Sequence, residues 1–138
     1  MRMDRHHRIS RVRYMLALVI LVGGGCNGVV WNHDLAGGMR TAAESRRRVL
    51  VVFCSASSPD CREMDWTVWN DAKVQEIARK FVPVRQDIFI HRKEAERLGV
   101  SEVPAAVVVR ADGSVAGTQT GKVTPEAMRF FLIKNRFN

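Results

Sequence analysis

The chain predicts an α/β domain: a three-layer α/β/α sandwich around a central mixed sheet of four to five strands. Three observations carry that expectation. Val49–Cys54 is a continuous apolar run rich in β-branched residues, the pattern of a central strand covered on both faces. From there the order reads β-α-(α)-β-α-β-β-α, which needs a parallel crossover in its first half and a hairpin at its end. Two helices open with the same punctuation, Ser58-Pro59 and Thr124-Pro125: a hydroxyl that can accept a first-turn N–H, then a proline whose missing N–H costs nothing.

Each element has its own signal. Met39–Arg48 reads as a helix closed by Arg46-Arg47-Arg48, cations that complement the negative end of its dipole. After Val49–Cys54, small polar residues lead to a helix from Pro59, with Ser58 as N-cap and Cys61 in the first turn. Asn70-Asp71 breaks that helix and caps a second segment, Ala72–Lys80, where Val74, Ile77, Ala78 and Phe81 recur at helical spacing. Phe81–Ile88 is a strand whose Pro83 argues for an edge. His91–Leu98 is a short helix stopped by Gly99. Val103–Val109 and Val115–Thr120 form the closing hairpin across Asp112-Gly113. The last helix, from Pro125, buries Met128, Phe131 and Leu132.

The domain spans 39–138, with 27–38 as a linker and 1–26 as a targeting segment. Five arginines and one aspartate precede Cys26, so half of the net charge of +8 lies there. What remains is mildly basic and lacks an aromatic-basic motif, so nucleic acid is not expected as a partner. A basic head, the apolar run Tyr14–Val22 and Gly23-Gly24-Gly25-Cys26 have the order of an export signal. Small residues directly before cysteine are similar to a lipoprotein processing site at Cys26; a plain cleaved signal or a retained anchor is the alternative. Both place the domain in the cell envelope, on the periplasmic side, where disulfides are possible, and membrane contact is expected through this segment or its lipid only. A monomer is expected.

Strand, small-residue loop and a helix with cysteine in its first turn: this arrangement resembles thioredoxin and its exported bacterial relatives. The resemblance covers Asp34 to the C-terminus. It implies the thioredoxin fold, a cis-proline at Val103-Pro104 facing the active site, a hairpin at Asp112-Gly113, and a groove glycine at Gly121. In that family the motif is Cys-x-x-Cys, often preceded by tryptophan. Aligned on Val51-Val52-Phe53, this chain has Ser57 for the tryptophan, Ser58 for the first cysteine, and Cys61 for the second, giving Ser-Pro-Asp-Cys. The family's buried carboxylate falls on Val52.

Those departures bear on chemistry. Dithiol exchange needs an attacking thiolate and a second thiol that resolves the mixed disulfide. Ser58 with no adjacent base is no nucleophile, and its role as a helix cap is complete by itself. His33 and His91 stand alone and read as surface residues. Cys61 is the remaining candidate for catalysis: the helix dipole favours its thiolate, Asp60 beside it opposes that, and the family's geometry places it mostly inside, where a cysteine can be an inert small hydrophobe. Cys54, seven residues earlier, is a possible disulfide partner. No Cys or His spacing suits zinc, so neither a metal nor a cofactor is expected. Two functions follow. In one, the protein handles thiols through the single cysteine Cys61, without ordinary dithiol reductase activity. In the other, it is a non-catalytic binding module. In either, the groove formed by Ser57, Ser58, Pro59, Asp60, Val103, Pro104 and Gly121 receives a protein or small-thiol partner, an extended peptide adding as a strand.

Overall fold

Central to the architecture is β1 (Val49–Cys54), every residue of which is buried. In a computed structural model, which describes residues 28–137, it is followed by α2 (Pro59–Thr67), α3 (Ala72–Ala78), β2 (Val82–Asp87), α4 (Arg92–Arg97), β3 (Ala105–Val109), β4 (Val115–Thr120) and α5 (Pro125–Lys134), and preceded by α1 (Leu35–Ser45). The sheet has four strands in the order β2-β1-β3-β4. β1 is parallel to β2 and antiparallel to β3, and β3 and β4 form the hairpin. The segment 1–26, expected to direct export, lies outside the described residues together with Cys26.

Alternation along β1 builds two cores. Leu50, Val52 and Cys54 face Cys61 and Met64 of α2, Val74 and Ala78 of α3, and Met128 and Leu132 of α5. Val49, Val51 and Phe53 face Leu35 and Ala42 of α1 and Ala95 of α4. Each fully buried aliphatic side chain contributes about 1.5–3 kcal/mol. With both faces covered, the alternation between apolar and polar that marks a half-solvated strand disappears.

β2 is an edge strand and carries Pro83 without loss. The Pro83 carbonyl accepts the Asn32 N–H at 2.9 Å, and the Arg85 N–H bonds the Asn32 carbonyl at 2.8 Å. Pro83 and Arg85 therefore turn their backbone groups outward, and the missing N–H is not withdrawn from the ladder with β1.

The first helix and the arginines after it differ from expectation. α1 begins at Leu35, not Met39: the Asp34 carboxylate accepts the N–H groups of Ala36 and Gly37 at 3.1 and 3.0 Å. Gly37-Gly38 suggests a linker, yet Gly38 is there for packing. A Cβ on it would lie 2.6 Å from Cγ2 of Val84, so the glycine lets α1 sit on β2. Part of the expected linker is thus structured, and Trp31 meets Trp69 edge to face at 5.2 Å. The arginine triplet also works differently. Arg46 ends α1 in the left-handed conformation, φ 53°. Arg47 donates to the Phe81 carbonyl at 3.2 Å and Arg48 to the Asn135 carbonyl at 2.9 Å. These cations reach carbonyls of neighbouring segments, while Arg47 Nε also donates to Ser45 Oγ, on the last residue of α1, at 3.1 Å.

Candidate functional site

The site forms where β1 ends. After Cys54 the chain turns tightly: the Ser58 N–H bonds the Ser55 carbonyl at 3.1 Å, and the Ser55 and Ser57 hydroxyls meet at 2.8 Å. Ser58 keeps an extended backbone, φ −83° and ψ 117°, and its Oγ accepts the Cys61 N–H at 3.2 Å. Pro59 occupies the first position of α2. The hydroxyl at the attacking position is thus an N-cap, as the sequence predicts.

Strand register brings the rest of the expected groove to this point. Phe53 pairs with Ala105, so Pro104, one residue earlier on β3, lies next to Cys54 on β1. The Val103-Pro104 peptide bond is cis. The Gly121 N–H bonds the Pro104 carbonyl at 2.8 Å, with Gly121 at φ 86°, a conformation that favours glycine. Lys122 then reaches α2, 2.8 Å from Glu63 and 3.8 Å from Asp60. Ser57, Pro59 and Asp60 are exposed, Ser58, Val103 and Gly121 half-buried, and Pro104 buried.

Cys61 is 1% exposed. Val52, in the same apolar cluster, is also 1% exposed and supplies no proton acceptor. Cys54 and Cys61 are both free thiols. Burial, and then hydrogen bonding with the Cys61 thiol, push the Cys54 thiol well above its ordinary pKa; the Arg85 guanidinium opposes that rise.

A cavity of about 380 Å³ opens beside the two cysteines, on the β2 side of β1. Arg85 and Asp65 also line it, paired through two hydrogen bonds of 2.6 and 3.0 Å. Asp87 and His33 complete its rim; the Asp87 carboxylate holds the following turn by accepting the Phe89 N–H at 2.8 Å, and the His33 ring meets the Arg85 carbonyl. The sequence reading missed Arg85 and Asp65. A lone arginine in an edge strand, between Val84 and Gln86, reads as solvent-facing; it is the register opposite Val52, visible only in the folded chain, that puts it on the face of Cys54.

Against the core on the opposite face of the sheet, a second cavity of about 340 Å³ is lined by Ile88, Phe89, Val100 and Val103. Phe89 is 65% exposed and Ile90 78%. This apolar patch was also missed, because apolar residues after a strand look like its continuation. Among the described residues, no cluster of three or more His, Cys, Asp or Glu side chains could hold a metal ion, and no helix is long and apolar enough to cross a membrane.

Comparison with known proteins agrees with this geometry. No curated protein matches the chain. Among solved structures, the DsbD C-terminal domain of Neisseria meningitidis in its reduced form is similar at TM-score 0.65 and 23% identity, covering 74% of this chain and 94% of that one. DsbH oxidoreductase is similar at TM-score 0.68 and 11% identity, covering 78% and 84%. A thioredoxin from Thermus thermophilus gives TM-score 0.67 and 21% identity over 78% and 86%. At such identities the likeness speaks for the fold. The model of the thioredoxin-like domain matches residues 35–134, nearly the whole described chain, and the protein therefore belongs to the thioredoxin-like domain family.

Proposed function

We propose that this is an envelope-exported thioredoxin-like protein that engages a protein or small-thiol partner at the groove beside Pro104, and that it lacks ordinary dithiol reductase activity. The observation that carries the reading is Ser58 at the attacking position, its hydroxyl engaged in capping the Cys61 N–H. A hydroxyl with no activating base does not open a disulfide at neutral pH. Cys61 is the thiol left for exchange, through mixed disulfides. Exposed Phe89, which shares a cavity with Val103, and exposed Ile90 next to it in the chain favour a second reading, a binding module that holds an extended apolar peptide at the groove. Export rests on the basic and apolar order of residues 1–26.

Reduction of a protein disulfide with a dithiol as electron source tests the proposal. The wild-type chain is expected to match the uncatalysed rate, and Ser58→Cys to show weak turnover, with a reversible disulfide from the introduced thiol to Cys61. Wild-type turnover that disappears in Cys61→Ser would overturn the proposal.

A further inference from the structure

We propose that Cys54 and Cys61 are a redox-active dithiol, oxidised to an intrachain disulfide by a low-molecular-weight disulfide that enters through the cavity on the β2 side of β1. The idea rests on Cys61 as the reacting thiol and adds the second sulfur that Ser58 does not provide. Four observations support it.

Both cysteines are free, lie in one apolar cluster, and line one cavity of about 380 Å³. That volume is within the range of small-molecule sites. The cavity is bordered by β2 and α2, whereas Pro104 leads into β3, across β1. A small reagent thus has a route to Cys61 that a polypeptide bound at the groove does not use.

The two sulfurs differ in character. Cys61 sits in the first turn of α2, at the end of the loop that leads out of β1. Cys54 holds its proton more firmly than an ordinary thiol, because it is buried and hydrogen-bonds with Cys61. Cys61 is therefore the attacking thiol and Cys54 the resolving one. Arg85, held by Asp65 on the same face, offers positive charge as the Cys54 thiolate forms.

The exchange balances without another oxidant. The Cys61 sulfur attacks one sulfur of the disulfide RSSR, breaking its S–S bond; Cys61 becomes a mixed disulfide, and the leaving thiolate takes up the proton that Cys61 gave up, as RSH. Cys54 then attacks the Cys61 sulfur, its proton going to the second leaving thiolate. Two protein thiols are oxidised to one disulfide, and RSSR is reduced to two RSH.

The test treats the full chain carrying Cys26→Ser with oxidised glutathione under native conditions, followed by peptide mapping without reduction. The expected result is a Cys54–Cys61 disulfide, with two glutathione molecules released for each disulfide consumed. Cys54→Ser should stop at a glutathione adduct on Cys61. Free cysteines after a treatment that oxidises the denatured chain would overturn the inference; so would adducts on both without an intrachain bond. The wild-type measurement needs no variant to fold. The protein-disulfide assay above is a separate readout: turnover there removes the proposed function, and absence of the 54–61 bond here removes only the small-disulfide route.

Discussion

Helices α2 and α5 begin with the same device and do different things. Ser58 Oγ accepts the Cys61 N–H at 3.2 Å, and Thr124 Oγ1 accepts the Ala127 N–H at 3.1 Å; a proline follows each. The third residue after the cap is cysteine in α2 and alanine in α5. Local chemistry at the two starts is equivalent, so the cap at Ser58 requires no catalytic explanation. The difference is position. α2 starts where β1 ends, with Cys54 beneath and Pro104 beside it, whereas α5 follows β4, half of whose residues are exposed. A helix start acquires chemical potential from what the sheet delivers to it.

That comparison can be broken in three ways. The largest effect is expected from Val52→Asp, which places an unpaired carboxylate in the dry cluster under α2. An uncompensated buried charge costs about 3–5 kcal/mol, to be read from urea denaturation at neutral pH. A loss below about 1 kcal/mol would show that water reaches the space beneath Cys61.

The next effect is on pH. The unfolded chain gives up the Cys54 proton near the ordinary thiol value of 9.0, while the folded chain, with the pKa raised by burial, keeps it. Stability from this group is complete below pH 9 and declines as pH rises above it, with a slope on the order of 1 kcal/mol per pH unit. Cys54→Ala should fold less stably and show a shallower decline between neutral and alkaline pH. Parallel curves for variant and wild type would mean that Cys54 ionises freely in the folded state.

The smallest effect tests the equivalence itself. Ser58→Ala and Thr124→Ala should each lower stability by about 0.5–2 kcal/mol, as removal of an N-cap does. Similar losses by thermal unfolding sustain the capping role. A Ser58→Ala chain as stable as wild type would sever the comparison and return the hydroxyl to the list of groups needing another explanation.

How much was legible in the sequence varies with the range of the forces involved. The β1 run Val49–Cys54, the caps at Ser58, Asp71 and Thr124, and the edge character of the Pro83 strand were readable because each depends on neighbours a few residues away. The start of α1 was not, since Gly38 answers to Val84, far along the chain, rather than to its own helix. Arg47 and Arg48 likewise looked like dipole partners of α1 until their guanidinium groups were placed on the carbonyls of Phe81 and Asn135.

By itself, then, the order of residues determined the layers, the strand types and the helix cap at Ser58, because hydrogen-bond spacing and burial period are local properties of a chain. Only the tertiary structure decided that Cys54 interacts with Cys61, that Arg85 and Asp65 line the cavity beside them, and that Ile88 and Phe89 line a cavity against the other core. Those arrangements follow from strand register and helix docking. A one-residue slip in strand register would send the same strand side chains to the other face of the sheet.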